Sequence, residues 1–345
     1  MEDMRSSGSE GSDATCAPWT PAEFSGAVDG LDSIAVRLAA TFRIPDRISE
    51  GCETVDQIAR TLAVDPEALG RVVRYLTARG MFAENDGVIT LGEYGRTLLD
   101  ADPSGLRRWL TADGPGARLD ASLLALAQSV EHGGSNYSAT HGVDLYEDAA
   151  TPAQNGDTFN SLRAEHCAAI ARGVVRLRLW KGSGHVADLG GGEGQLIASL
   201  LTTHPRLRGT LLDLPPAIES ARARLESAGV ISRCTMVAGS FFDELPFAAD
   251  IYVLSNVLHN WDDEHARRIL RRCRARAGGV LIVETLADRV AARGATSMDL
   301  RMLAFCGGRE RTTDEYELLL RAERFEVTNI EKITSELWAI AAQPT

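Results

Sequence analysis

A glycine-rich segment between a short apolar run and an amphipathic helix limits what this chain can fold into. The segment reads D-L-G-G-G-E-G over residues 188–194, between a predicted strand at 185–189 and a predicted helix at 195–203. Glycine lets a backbone adopt positive φ angles and approach a ligand closely, and the helix that follows offers free N–H groups. The segment therefore predicts a ligand-binding turn between a strand and a helix.

Strand and helix patterns continue to alternate after this turn. Apolar runs at 209–214, 235–238, 251–254 and 280–283 are typical of strands, and helical patterns cover 216–228 and 262–277. This alternation predicts βαβ units and a mainly parallel sheet. Two further strand-like runs, 325–333 and 337–342, predict a closing hairpin that places one antiparallel strand at an edge of the sheet.

The first half of the chain has a different pattern. Thr54 with Gln57 forms a capping box before one helix, and Asp65 caps a second helix. A hairpin over residues 81–91 turns at Asn85-Asp86-Gly87, so helix, helix and hairpin outline a winged helix. The region 104–175 has a helical pattern that is interrupted at 133–136 and at Pro152, and 121–130 is apolar enough to predict burial. We expect a disordered tail at 1–18, a helical winged-helix-like domain at 19–175 and a second domain at 176–345.

Composition excludes several classes of protein. The chain carries 48 acidic against 36 basic residues, and a net charge of −12 disfavours a phosphate backbone as a general partner. Its strongest apolar run, 251–261, is far shorter than the roughly 20 residues that span a bilayer. No secretory leader is visible in the charged first twenty residues. The six cysteines form no CxxC pair, which predicts no zinc site, no disulfide framework and a cytoplasmic protein with reduced thiols.

An acidic residue at the end of the second strand suggests what the glycine turn binds. Asp213 follows Gly194 by 19 residues, and an acid at this position can accept both ribose hydroxyls of an adenosine. A nicotinamide dinucleotide is the competing ligand. Its G-x-G-x-x-G fingerprint requires a third glycine at position 195, where this chain has glutamine.

Five motifs in a fixed order now resemble a known family. They are DLGGGEG, GTLLDLPP, GSFFDELP, LSNVLHNWDDE and GGRERT. Together they are similar to the two-domain class I S-adenosylmethionine-dependent O-methyltransferases, which include plant caffeate-type and bacterial polyketide and antibiotic tailoring enzymes. The resemblance covers about residues 20–345. It implies a Rossmann-like cofactor half, no metal, and an N-terminal half that forms a homodimer and covers the substrate.

The resemblance also assigns residues to the cofactor. Ser240 departs from the family, which usually has an aspartate there for the adenine amino group, although a serine hydroxyl can still accept one hydrogen bond. The cofactor-binding residues implied are Asp188, Gly190, Gly192, Asp213, Leu214, Ser240, Phe241 and Ser255.

His259 is the predicted general base. It follows a buried strand at its carboxyl end, where ligands lie in open α/β sheets, and an imidazole titrates near working pH. The resemblance gives it the same role and makes Glu284 and Glu310 the acids that orient it. The competing interpretation is that both acids form surface salt bridges, Glu310 with the arginines on either side.

The predicted acceptor pocket rests on the resemblance. Its residues are Phe159, Asn160, Asn260, Met298, Met302 and Phe305. The last three lie on one helix face, so a plain core stripe explains them equally well. Asn260 stands where the family commonly has aspartate and removes a negative charge.

The predicted function is methyl transfer to a hydroxyl of a small aromatic or polyketide-like acceptor. Asn260 and Ser240 leave open N- or C-methylation, or a non-methylating reaction such as decarboxylation, hydroxylation or rearrangement. A DNA-binding regulator is a third interpretation. It has weak support, because residues 54–80 carry four arginines against three acids, a net charge of only +1.

Overall fold

The structure is a computed structural model that describes residues 19–149, 166–180, 184–290 and 292–345. The predicted disordered tail at 1–18 and the pocket candidates Phe159 and Asn160 lie outside these ranges. None of the helices in the described ranges is long and apolar enough to cross a membrane.

The N-terminal half is helical except for one hairpin. Its helices are α1 Pro21–Asp29, α2 Leu31–Thr41, α3 Ile44–Ser49, α4 Val55–Leu62, α5 Pro66–Ala78, α6 Glu93–Arg96, α7 Leu106–Leu110, α8 Pro115–Leu124, α9 Leu126–His132, α10 Tyr137–His141, α11 Leu145–Ala149 and α12 at 166–174. The antiparallel hairpin consists of β1 Phe82–Asn85 and β2 Val88–Leu91.

The predicted order of helix, helix and hairpin is present. Thr54 and Gln57 form the capping box of α4, and the Asp65 carboxylate accepts the Ala68 N–H at 2.7 Å at the start of α5. The hairpin turns at Asp86 and Gly87, whose φ angles are 50° and 80°. Positive φ at both central residues matches the twist of the two strands, which explains the Asp-Gly pair.

The prediction that residues 121–130 are buried is wrong. Leu124 is 90% exposed and Val130 is 73% exposed, whereas Ser122 and Ser129 are buried. Apolar side chains surround this helical stretch, so only one face can pack against the protein. That face carries the two serines, whose small side chains allow close helix contacts.

The C-terminal half is one seven-stranded sheet with helices on both faces. Its strands are β3 Gly184–Leu189, β4 Leu207–Asp213, β5 Cys234–Ala238, β6 Ile251–Ser255, β7 Gly279–Glu284, β8 Phe325–Lys332 and β9 Trp338–Pro344. The helices are α13 Gln195–Thr203, α14 Pro215–Ser227, α15 Asp263–Arg274, α16 Ala292–Cys306 and α17 Thr313–Ala322. Successive side chains on a strand point to opposite faces of the sheet. Val186 packs in the apolar cluster on one face and Ala187 in the cluster on the other.

Strand order confirms the mainly parallel sheet and corrects its edge. The order is β5-β4-β3-β6-β7-β9-β8, with β9 antiparallel to both neighbours. The antiparallel strand therefore lies inside the sheet, and β8 forms the edge. Residues 339–342 of β9 are buried, whereas most of β8 is exposed or half-buried. The apolar strand gains burial on both faces, and the strand with charged residues tolerates the edge.

The topology gathers five strand ends at one edge of the sheet. Strands β3 to β7 run parallel, so their carboxyl ends lie together. Strand order reverses beside β3, which pairs with β4 on one side and with β6 on the other. Such a reversal opens a crevice outside the carboxyl ends, and this is where α/β sheets bind ligands.

Candidate active site

The glycine turn follows β3 and leaves room above its backbone. Gly190, Gly192 and Gly194 have φ angles of 72°, 57° and 75°, which favour glycine. A methyl group added to Gly190 would lie 3.1 Å from Val257 and 3.3 Å from Phe241. One added to Gly192 would meet no atom of the described chain within 4 Å. The turn is therefore open at Gly192 and bounded by apolar side chains at Gly190.

Asp188 lies beneath this turn as a buried carboxyl group. It is 1% exposed, and neither oxygen has a hydrogen-bond partner among the described residues. Burial raises the pKa of Asp188 to about 7, and the negative charge of Asp213 adds to the rise. The Ile197 N–H opposes the rise. A buried carboxyl group without a partner is suited to a cationic ligand group.

Asp213 connects the ends of three strands. Its Oδ2 accepts the Gly192 N–H and its Oδ1 accepts the Leu214 N–H, both at 2.7 Å. Its main-chain oxygen accepts the Gly239 N–H at 3.0 Å. An ionised carboxylate has about four lone-pair positions, so Asp213 can still accept ligand hydroxyls. Leu214 is 40% exposed beside it.

The segment after β5 adds an aromatic cluster. The Ser240 hydroxyl oxygen accepts the Phe242 N–H at 3.2 Å, so it stabilises its own turn, while its O–H can still donate. Trp261 contacts Phe241 and Phe242 edge to face, with ring centroids 6.2 and 4.7 Å apart. Phe241 borders Gly190, so these rings connect the glycine turn with the segment that carries His259.

The segment after β6 holds Asn260 in an internal hydrogen bond. Ser255 ends the strand, and Asn256 has a φ angle of 51°, a conformation that asparagine tolerates better than most residues. The Asn260 amide donates to the Asn256 carbonyl oxygen at 3.0 Å. An aspartate cannot make this bond because an ionised carboxylate has no N–H. The departure at Asn260 therefore has a local structural reason.

His259 lies between two buried carboxyl groups. Its Nδ1 is 2.9 Å from Oε1 of Glu310 and 3.7 Å from Oε2 of Glu284. The side chains of His259, Glu284 and Glu310 are 13%, 0% and 1% exposed. The structure thus brings together the three residues that the sequence singled out. Both surface salt-bridge interpretations are wrong, because the two acids are buried and the arginines beside Glu310 pair with Asp263 and Glu315.

The two acids contact different parts of the segment at 256–261, which carries His259 and is called the histidine segment below. Oε1 of Glu284 accepts the N–H groups of Val257 and Leu258, each at 2.9 Å. Burial raises the pKa of Glu284, the nearby Glu310 charge adds to the rise, and His259 opposes it. Glu310 makes the shorter contact with the imidazole, and its own N–H donates to Asp299 at 2.8 Å. Glu284 therefore holds the backbone of the turn, whereas Glu310 holds the ring.

The predicted pocket residues of α16 differ in exposure. Phe305 is buried, Met302 is half-buried, and Met298 is 39% exposed. The Cys306 thiol lies 3.4 Å from the Met302 carbonyl oxygen and 3.9 Å from Oδ1 of Asn260, so the last turn of this helix borders the histidine segment. Phe305 belongs to the core, and Met298 and Met302 are available to a ligand.

Several residues at the site escaped the sequence analysis. Arg311 is fully buried against the histidine segment, and Tyr146 of α11 stacks on Trp261 with ring centroids 6.3 Å apart. His166 of α12 is exposed, as expected for a histidine on a solvated helix face, and its Nε2 lies 3.2 Å from the Asn256 amide. Only Arg311 lay in a motif, where its charge suggested a surface position. The other contacts join distant segments and have no local pattern.

Comparisons with known proteins agree with this geometry. A family model described as an O-methyltransferase domain matches residues 124–326. A 2,7-dihydroxy-5-methyl-1-naphthoate 7-O-methyltransferase of Streptomyces carzinostaticus is 40% identical over 286 residues, covering 82% of this chain and 86% of that protein. An aclacinomycin 10-hydroxylase of Streptomyces purpurascens is 37% identical over 293 residues, covering 82% and 78%.

A solved structure extends the likeness to three dimensions. It is the O-methyltransferase NcsB1 of neocarzinostatin biosynthesis, in complex with S-adenosylmethionine and 2-hydroxy-5-methyl naphthoic acid. It superposes with a TM-score of 0.81 at 36% identity, covering 91% of this chain and 96% of that chain. Sequence, fold and family model agree, and the chain belongs to the family of S-adenosylmethionine-dependent O-methyltransferases.

Proposed function

We propose that this enzyme methylates a hydroxyl group of a small aromatic natural-product intermediate, with His259 as general base. The observation that carries the proposal is the 2.9 Å contact between His259 Nδ1 and Glu310. A carboxylate at Nδ1 keeps the ring proton on that nitrogen, so Nε2 carries the basic lone pair. A second carboxyl group, that of Glu284, lies close enough to favour the imidazolium once it forms.

The residues around the glycine turn fit S-adenosylmethionine. The unpartnered Asp188 carboxyl group suits its amino group, the open backbone at Gly192 suits the methionine portion, and Asp213 suits the ribose hydroxyls. We assign Gly190, Leu214, Ser255, Phe241 and Ser240 to the same site, the last two beside the adenine. When bound, S-adenosylmethionine supplies an electrophilic methyl group on a positively charged sulfur.

His259 makes the acceptor oxygen nucleophilic. A phenol has a pKa of about 10, so roughly one molecule in a thousand is ionised at pH 7, a deficit of about 4 kcal/mol. A positioned base typically contributes about 10²- to 10⁴-fold in rate by removing the proton as the oxygen reacts. Glu310 stabilises the positive charge that the imidazole acquires. Holding the acceptor oxygen in line supplies the remaining acceleration.

Relatives and pocket residues support an aromatic acceptor. The relative of 40% identity is named for a dihydroxynaphthoate, and the NcsB1 structure holds a naphthoic acid. In this chain, Met302 contacts Cys306, which borders Asn260, and Met298 is 39% exposed on the same helix, so both present adaptable apolar surface. Phe159 and Asn160 stay candidates for the same pocket from the resemblance alone.

Replacement of His259 by glutamine tests the assignment. We expect the H259Q variant to bind S-adenosylhomocysteine normally and to lose about 10²- to 10⁴-fold in methyl transfer to hydroxylated naphthoates. Isothermal titration and labelled S-adenosylmethionine measure the two quantities. Wild-type turnover by this variant would exclude His259 as the base.

A non-methylating reaction is the second candidate, because a relative of 37% identity is named a hydroxylase. Its discriminating measurement uses methyl-labelled S-adenosylmethionine with phenols, aromatic amines and an aclacinomycin. Methylated product supports the first proposal. Tight cofactor binding with a changed acceptor mass but no label in the product supports the second.

We also propose that the domain boundary near residue 175 is correct and that the 19–175 domain forms a homodimer. Exposed apolar side chains lie along α1 and α2. Burying such a surface against a second copy of the chain would favour dimer formation. These side chains are Trp19, Phe24, Val28, Leu31 and Ile34, each at least 41% exposed. Light scattering after size-exclusion chromatography should give a dimer for the wild type and a monomer for F24E/I34E.

We assign the enzyme to the cytoplasm, since its described cysteines are free thiols.

A further inference from the structure

A buried arginine packs against one side of the histidine segment. Arg311 is 0% exposed and is among the largest fully buried side chains in the described chain. Its guanidinium donates to the Leu258 carbonyl oxygen at 2.9 Å and to the Trp261 carbonyl oxygen at 2.7 Å. It also contacts Oδ1 of Asp263 at 2.8 and 3.0 Å. These two carbonyl groups lie on either side of His259.

The neighbours of Arg311 bind the same segment. The Arg309 N–H donates to the His259 carbonyl oxygen at 2.8 Å, and Glu310 reaches the His259 ring. Glu310 is thus flanked by two residues that are each anchored to the turn it contacts. The position of its carboxylate relative to the imidazole depends on both anchors.

We propose that Arg311 is a positioning residue for the methyl transfer reaction, which fixes the His259 turn so that the imidazole meets Glu310. This inference rests on the proposed role of His259 as general base. A planar guanidinium reaches two carbonyl groups and a carboxylate at once, whereas an ammonium group is a single point of charge on a flexible stem. Lysine therefore preserves the charge but not the geometry.

The test compares the R311K and R311M variants with the wild type. We expect kcat for a hydroxylated naphthoate to fall about 10²-fold, the loss that a displacement of about 1 Å can cause. The Kd for S-adenosylhomocysteine should change less than about twofold, because Arg311 bonds the histidine segment and not the glycine turn. The acidic limb of the pH profile of kcat/KM should move to lower pH, since an imidazole that loses its carboxylate partner is a weaker base.

A matched control comes from Arg233. Its guanidinium donates to three main-chain oxygens, one more than Arg311 does, those of Leu201, Pro205 and Leu207, at the opposite edge of the sheet. The R233K variant should therefore lose stability as R311K does, yet keep the wild-type acidic limb and the wild-type kcat per folded molecule. Loss of folded protein alone scales the rate and does not move the limb.

Three outcomes separate this inference from the proposal on which it rests. An R311K variant with wild-type kcat per folded molecule and an unmoved limb, beside an inactive H259Q, overturns the inference alone. An active H259Q overturns the proposed function. If neither Arg311 variant folds, D263N takes their place, because it removes the carboxylate that the Arg311 guanidinium contacts and that side chain is 56% exposed. A lower kcat with a displaced acidic limb supports the inference, and wild-type values of both overturn it.

Discussion

The imidazole Nδ1 of His259 and Oε1 of Glu310 lie 2.9 Å apart, although 51 residues separate them in the chain. One residue follows the fourth parallel strand of the sheet, and the other precedes α17. Their contact is what turns an ordinary histidine into a candidate base, because it determines which ring nitrogen holds the proton.

Replacing Glu310 by glutamine should slow catalysis more than replacing Glu284. Glutamine at 310 can still accept from Nδ1, but it loses the charge that stabilises the imidazolium. A hydrogen bond to a charged group contributes about 1.5–3 kcal/mol, which corresponds to about 10- to 100-fold in kcat. E284Q keeps an oxygen for the N–H groups of Val257 and Leu258, so its kcat should fall less. Steady-state kinetics of both variants measure the difference, and equal losses would contradict the division of roles.

Replacing Asn260 by aspartate should destabilise the protein. Aspartate cannot donate to the Asn256 carbonyl oxygen and would place a second oxygen beside it. A fully buried carbonyl group that loses its partner costs about 1–3 kcal/mol, so this half-buried one costs less, and repulsion adds to the loss. The N260A variant loses the hydrogen bond but gains no repulsion, so its melting temperature should lie between those of the wild type and N260D. If N260D were as stable as the wild type, the local reason given for asparagine would be wrong.

The buried Asp188 predicts a pH-dependent stability in the absence of cofactor. Because burial raises its pKa from 3.8 to about 7, the folded protein holds a proton that the unfolded chain releases. The corresponding stability is fully present below about pH 4 and is lost as pH rises through about 7. The full difference amounts to about 4 kcal/mol. Denaturant titrations from pH 4 to 8 should show the wild type losing this much relative to D188N. A constant difference between the two would refute the assignment.

The same carboxyl group predicts that cofactor binding releases a proton near neutral pH. A cationic amino group favours the ionised form of Asp188, so the affinity for S-adenosylhomocysteine should rise with pH up to about 7 and then level off. Calorimetry in buffers of different ionisation enthalpy counts the released protons. D188N should release fewer of them.

Gly308 should be intolerant of any side chain. A methyl group on it would lie 2.0 Å from the His259 carbonyl oxygen, a main-chain atom that Arg309 already binds. Since backbone must move to admit it, G308A should lose about 1–3 kcal/mol of stability and much of its kcat. G294A is the matched control. A methyl group on Gly294 in α16 meets no described atom within 4 Å and should stabilise the helix by about 0.5–1 kcal/mol.

Much of the fold could be predicted because its signals are local. The capping box at Thr54 and the Asp-Gly turn at residue 86 each depend on a few adjacent residues, and the structure contains both. The glycine turn and the strand after it are local in the same sense. The place of β9 could not be predicted, since it depends on which of two strands gains more from burial beside β7.

The sequence by itself determined the order of strands and helices, the open glycine turn, and the three ionisable residues around which a site forms. Periodicity, glycine conformation and helix capping act over a few residues, and a single chain displays them directly. The tertiary structure decided that Glu310 rather than Glu284 holds the His259 ring, that Asn260 closes its own turn, and that Arg311 is buried beneath it. Most of these contacts join residues that are far apart in the chain. Packing selects one partner among several that the linear pattern does not distinguish.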